Sequence, residues 1–137
     1  MKHHDPEHLC QLLETKVCPK GELFGVDLSK ADLPKAVLYS SDLREAKLSK
    51  TTLAKADLQE ANLHQANLAQ ADLSGALLFF ADLHEANAPE ANLKNADLTE
   101  VDLLHANCCT QTSKEQTSQV PNYLELNCGV LIWLVLT

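Results

Sequence analysis

With 137 residues and 15.0 kDa, the chain has room for one folded unit or one short repeat array with its caps, and none for a second domain. A formal charge of −8 and an aromatic content of 4% leave neither an electropositive track for phosphates nor platforms for base stacking, so a nucleic-acid or anionic-membrane partner is disfavoured. Five cysteines are an odd number and do not form a disulfide framework.

The first residues, Met1 to Asp5, are polar and include His3 and His4, with no apolar run of signal-peptide length behind them. A cytoplasmic protein is expected; a periplasmic or thylakoid-lumen location applies if a leader has been removed. Pro6 to Thr15 is predicted to form a helical turn or two, with Asp5 as N-cap and Leu9, Leu12 and Leu13 on the face that covers the next element. Two states are open for Cys10 and Cys18: a disulfide, if that helix turns back onto the first coil, or free, partly buried thiols. His3, His4, His8 and Cys10 lie close in sequence, but zinc needs about four convergent ligands, and a loose polar terminus does not supply them. No metal and no cofactor are expected.

From Leu23 to Leu103 every fifth residue is leucine, except at Ala88, and the residue two places earlier is small in nearly every case. Gly21 to Thr110 divides without insertion into eighteen five-residue units, of which Ala61-Asn62-Leu63-His64-Gln65 is typical. A helix stepping about 100° per residue would smear these leucines around its circumference, and a flat strand would swap faces at each unit. Within a unit the small residue and the leucine are two apart, which sends both to one side of an extended piece. A short extended piece followed by a turn returns them inward every time and builds a solenoid whose coils stack through backbone hydrogen bonds.

This pattern of Ala, then Asp or Asn, then Leu, then two variable residues resembles the pentapeptide repeat family over about ninety residues, and small cyanobacterial members in particular. The resemblance implies an all-β protein, a right-handed quadrilateral β-helix with four units per coil. Eighteen units then make about 4.5 coils, a rod roughly 22 Å long at about 4.8 Å per coil. The expected organisation is an N-terminal cap over residues 1–20, the repeat over 21–110, and a flexible linker with a C-terminal apolar cap over 111–137. Gly129 to Leu136 is apolar but far shorter than the roughly 20 residues a membrane helix needs, so no membrane span is expected.

The second position of the unit is Asp27, Asp32, Asp42, Asp57, Asp72, Asp82, Asp97 or Asp102, or Asn62, Asn67, Asn87, Asn92 or Asn107. Their even distribution matches an architectural role at turns, where short polar side chains bond nearby backbone, rather than a cation site. Ala88 replaces a core leucine beside Pro89, an expected local packing change or cavity, and Val37 and Thr52 depart at the acidic position without suggesting chemistry. Catalysis has little support: His64, His84 and His105 sit at outward positions of different units, and Cys108, in a core slot, and Cys109 lack a guaranteed base.

Leu77, Phe79 and Phe80 place apolar side chains where the unit faces outward, and at four units per coil Tyr39, Gln59, Phe79 and Thr99 form one column. Leu77, Phe79, Phe80 and Tyr39 are therefore the candidate protein-contact patch, serving an unidentified protein partner or self-association, unless the C-terminal tail covers it. The expected function is a non-enzymatic structural or protein-binding module. The alternative implied by the family resemblance is an acidic DNA mimic that binds DNA gyrase; Lys30, Lys35, Arg44, Lys47, Lys50, Lys55 and Lys94, scattered among the acids, interrupt the continuous negative face it requires.

Overall fold

The computed structural model describes residues 3–108. The 111–137 linker and apolar cap, and Cys109, lie outside the described residues.

Parallel pairings join each second-position residue to the one twenty residues on, from Val17 with Val37 to Asn87 with Asn107. A step of twenty residues is four five-residue units per coil, so the rod has four faces. The paired residues of face 1 are Val17, Val37, Asp57, Leu77 and Asp97; of face 2, Glu22, Asp42, Asn62, Asp82 and Asp102; of face 3, Asp27, Lys47, Asn67, Asn87 and Asn107; and of face 4, Asp32, Thr52, Asp72 and Asn92. The ladder begins one unit earlier than the sequence pattern predicts. Val37 donates to the Lys16 carbonyl and Cys18 to the Val37 carbonyl, both at 2.8 Å, so residues 16–20 belong to the first coil and not to the cap. With Lys16 in the small-residue slot and Cys18 in the leucine slot, this unit does not resemble the others in sequence.

Each corner is a tight turn. The first residue of a unit donates to the leucine carbonyl three residues back, as Val26 does to Leu23 at 3.1 Å, and the fifth residue has positive φ in all eighteen units from Lys20 to His105. Positive φ at the third turn residue but not at the second is the type II signature. Glycine fills only two of these corners, Gly25 and Gly75, both in the left-handed region; lysine, glutamate and glutamine take most of the rest, a local strain opposed by stacking above and below. Gly21 has a different reason: a Cβ there would lie 2.5 Å from the Cys18 sulfur.

The polar second position completes the backbone accounting. Its side-chain oxygen accepts the amide of the fourth residue, as Asn62 does from His64 at 3.0 Å, Asn67 from Ala69 at 3.2 Å, and Asp82 from His84 at 2.9 Å. The architectural reading of these carboxylates and amides is what the geometry realises. Pro34 and Pro89 occupy fourth positions, where no stacking bond needs an N–H and where a type II turn favours proline. Pro89 therefore leaves the ladder intact: its carbonyl accepts from Gln70 at 2.9 Å, and Ala88 remains fully buried.

Inside, the leucines from Leu33 to Leu83 and the alanines between them are at most 2% exposed. Two polar first-position residues are also buried, and each satisfies itself: Ser41 donates to the Leu38 carbonyl at 2.6 Å and Thr51 to the Leu28 carbonyl at 2.7 Å. Towards residue 108 the core opens, with Leu93, Ala96, Leu98 and Val101 only partly buried.

The other end is closed by α1 (Pro6–Thr15). Asp5 caps it, accepting the Glu7 amide at 2.8 Å, Pro6 starts it, and Lys16 ends it in the left-handed conformation. Leu12 is fully buried over the first coil and Leu9 packs beside it, whereas Leu13 is 54% exposed. Leu13 is thus not part of the covering face, since one residue past Leu12 the helix has turned by about 100°. Asp5 donates its amide to the Glu22 carbonyl at 2.8 Å, and the Glu22 amide donates to His8 Nδ1 at 3.1 Å. His8 Nδ1 also lies 3.9 Å from the Asp5 carboxylate.

Candidate functional site

A stacked rod offers its surface as columns, so what matters is which residues share a column. The fourth-position column beside face 1 runs Pro19, Tyr39, Gln59, Phe79 and Thr99, and the corner beyond it runs Lys20, Ser40, Glu60, Phe80 and Glu100. Face 1 and its corner carry four of the six large hydrophobic residues exposed among those described: Val17 at 41%, Tyr39 at 39%, Leu77 at 42% and Phe80 at 53%. Phe79 is half-buried and packs against Phe80, ring centroids 4.3 Å apart. The residues singled out from sequence, Leu77, Phe79, Phe80 and Tyr39, therefore lie on one side of the rod, in two groups separated by the rung of Asp57, Gln59 and Glu60. Val17 and Val37 belong to the same surface. Sequence reasoning did not assign them there, although Val37 stands twenty and forty residues before Asp57 and Leu77.

This apolar surface has a structural cost. At Val37 and Leu77 the turn-bonding Asp or Asn is absent, and the amides of Tyr39 and Phe79 donate to no group among the described residues. Where the same position keeps its carboxylate, in Asp57, the Gln59 amide is held at 3.2 Å. An exposed amide without a protein partner turns to water, at the loss of about 1 kcal/mol of net hydrogen-bond stabilisation.

Face 2 presents a second concentration of side chains at its corner. The Arg44 guanidinium lies over the Phe24 ring, 5.4 Å from its centroid, and is paired with Asp42. Beyond them His64 and His84 stack with centroids 5.1 Å apart, and His105 meets His84 edge-on at 5.6 Å. The sequence placed these histidines in different units without bringing them together; the separation of twenty between His64 and His84 is the signal that would have. Glu85 approaches His84 at 3.3 Å and accepts from Gln65 at 2.6 Å, and the Gln65 hydrogen bond, followed by the nearby imidazoles, holds its carboxyl below the usual value. Among the described residues no group of three or more His, Cys, Asp or Glu is arranged to hold a metal ion.

The cysteines resolve into one of the two states that the sequence left open. Cys10 and Cys18 are free thiols, so the disulfide is absent. Cys10 lies on the exposed side of α1, where its thiol donates to Glu14 at 3.5 Å, while Cys18 is buried in the leucine column beneath the helix. Glu14 raises the Cys10 thiol above its ordinary value, and burial, with Asp5 nearby, raises that of Cys18, so neither is a ready nucleophile. Cys108 is buried in the core slot expected of it. No described helix is long and apolar enough to cross a membrane.

These features define a class: a solenoid of five-residue units with a helical lid, a flat apolar side and no assembled catalytic constellation among the described residues. The family model for pentapeptide repeats matches eight copies across residues 22–59, 41–78, 56–89 and 76–107, more than half of the chain. The chain belongs to the pentapeptide repeat family, whose solved neighbours imply a right-handed quadrilateral β-helix. It is similar to a pentapeptide repeat protein from the cyanobacterium Cyanothece 51142, at 29% identity and a TM-score of 0.64 over 79% of this chain and 95% of that one. A pentapeptide repeat protein from Nostoc PCC 7120 is 30% identical over 79% of this chain and 83% of that one, with a TM-score of 0.48. One from the thylakoid lumen of Arabidopsis thaliana is 28% identical over 61% and 62%, with a TM-score of 0.40. A search of curated protein sequences finds no significant match.

Proposed function

We propose that this protein is a non-enzymatic binding module, a capped rod of about four and a half coils that presents face 1 to another protein. The observation that carries this reading is the double departure at Val37 and Leu77. At both, an aliphatic residue replaces the side chain that would hold the turn, and the next outward residue is aromatic, Tyr39 or Phe79. A surface selected only for folding would keep Asp or Asn there, as most other rungs do. Apolar side chains on a flat, stacked surface bring the contact area that a protein partner buries.

The DNA-mimic alternative requires a continuous acidic face. Here Lys30 and Lys50 stack at one corner of face 4 and Lys35 and Lys55 at the other, all exposed, so the first coils do not supply it. A cytoplasmic location is part of this proposal.

A quantitative pull-down from an extract of the source organism tests the reading, comparing wild type with Phe79→Ser/Phe80→Ser. A saturable partner lost by the double variant is expected. A partner captured equally by both proteins would move the contact off face 1.

A further inference from the structure

The two ends of the rod differ. At the lid end the leucine column is sealed: Cys18, Leu23, Leu28 and Leu33, the third-position residues of the first coil, are at most 3% exposed, and Leu12 of α1 is fully buried over them. At the other end Leu93, Ala96, Leu98 and Val101 are only partly buried, and Leu104 at the rim is 52% exposed. The backbone is open there as well. Leu78, Phe80, Leu83 and Glu85 donate their amides to the coil above, to the carbonyls of Asp97, Thr99, Asp102 and Leu104, at distances from 2.7 to 3.0 Å. One coil on, the amides of Leu98, Glu100, Leu103 and His105 have no acceptor among the described residues. Apolar core beside a row of unpaired strand edges is the combination that pairs with another chain unless something covers it.

We propose that this end is a docking site for the chain's own C-terminal segment, residues 130–136, which closes the rod there as α1 closes it at the other end. The described chain ends at Cys108, in a leucine slot of the last coil, so the residues that follow leave the rod at the rim of the open end. Residues 109–129, at up to about 3.4 Å each, reach about 70 Å, so length does not prevent a return over that end. The segment from Val130 to Leu136 is apolar throughout and carries no charge. What the open end leaves uncovered is leucine, alanine and valine, so the two surfaces match in chemistry.

Face 1 is the competing place for the same segment. Its apolar rungs are interrupted by Asp57, Gln59 and Glu60, so an uncharged segment laid along it would set apolar residues against two carboxylates. Its coils are already paired with one another, which leaves side-chain contact as the main gain. At the open end the segment covers core residues and lies against the unpaired edge. With both ends closed, rods do not join end to end, and the sides remain the surfaces open to a partner.

Trp133 is the one tryptophan of the chain and lies within the segment, so its indole reports the contact in the full chain without an added label. Its fluorescence is expected to be blue-shifted from that of the urea-unfolded protein and to be quenched by acrylamide about threefold less. Leu98→Ala, at the open end, should reverse part of both effects, and Phe79→Ser/Phe80→Ser should change neither. Nuclear Overhauser contacts then locate the indole. They are expected from its ring protons to the methyl groups of Leu93, Leu98 or Val101, within one copy, and so to be absent from an isotope-filtered spectrum of mixed labelled and unlabelled chains.

Three results overturn the proposal. An indole as exposed to acrylamide in the folded chain as in urea, with no contact to the last coil, leaves the end without this occupant and the reading of face 1 untouched. Contacts seen only between copies give the end to the tail of a second chain, again without bearing on face 1. Contacts to Leu77, Phe79 or Phe80, with emission that shifts in Phe79→Ser/Phe80→Ser, lay the segment on face 1 and reject both the closure of the end and the reading of that face as open to a partner.

Discussion

Truncating one central leucine should cost several times more at the middle of the rod than near residue 108. Leu63 is fully buried, with Leu43 and Leu83 one coil below and above it in the same column, both at most 1% exposed. Leu63→Ala removes three carbons, about 2.4 kcal/mol of transfer free energy at roughly 0.8 per methylene. The stacked backbone on both sides cannot collapse into the space, so a cavity contribution brings the loss to about 3 to 4 kcal/mol. Leu98 makes the same contact with the core from a partly exposed position, and Leu98→Ala should lose about 1 to 1.5 kcal/mol. Urea unfolding followed by circular dichroism reads both. With a slope of about 1.5 kcal/mol per M, the midpoint falls by about 2 M for Leu63→Ala and by less than about 1 M for Leu98→Ala. Equal losses at the two sites would refute the argument that stability is concentrated in the central rungs.

Three further outcomes are expected. Gly75→Ala, at φ +65°, should destabilise by about 1 kcal/mol, whereas Glu60→Gly at φ +56° should be neutral or slightly stabilising; thermal melts with the opposite order would contradict the corner geometry. Asp97 is held below the ordinary carboxylate value, chiefly by the Thr99 hydroxyl and then by its amide. Its contribution is therefore present above pH about 4 and lost as pH falls through the lower folded value. Asp97→Asn should flatten the decline of the urea midpoint in that range, and an unchanged decline would discard the assignment. Native alkylation should label Cys10 and spare Cys18 until unfolding, and a Cys10–Cys18 linked peptide pair in a non-reduced digest would contradict the free-thiol state.

The repeat was legible from the sequence because each unit solves the same local problem. A small residue and a leucine two apart must turn inward, and a polar residue between them has a turn amide to hold, as Asn62 and Asn67 do. The first unit was not legible, because Lys16 and Cys18 stand in the slots that a small residue and leucine fill elsewhere, and its register is imposed by pairing with Val37 rather than by composition. Leu13 was misassigned because three leucines within five residues fit several helical faces, and only contact with the coil selects Leu12 and Leu9. Most of the apolar surface was legible, since Leu77, Phe79, Phe80 and Tyr39 are conspicuous where polar residues are the rule. Val17 and Val37 read as minor variants until the twenty-residue step lined them up with Leu77. The histidine stack escaped for the same reason.

The central claim, that face 1 is a contact surface, can be read most directly at two amides. Tyr39 and Phe79 lack the Asp or Asn acceptor that holds the equivalent amides of His64 and Ala69. In the dilute protein their hydrogens should exchange fast, and those of His64 and Ala69 more slowly. Hydrogen exchange followed by NMR, repeated at high protein concentration and with any captured partner, should show protection gained at Tyr39 and Phe79 and little change at Ala69 on face 3. Association that leaves Tyr39 and Phe79 exchanging as fast as before would contradict the account.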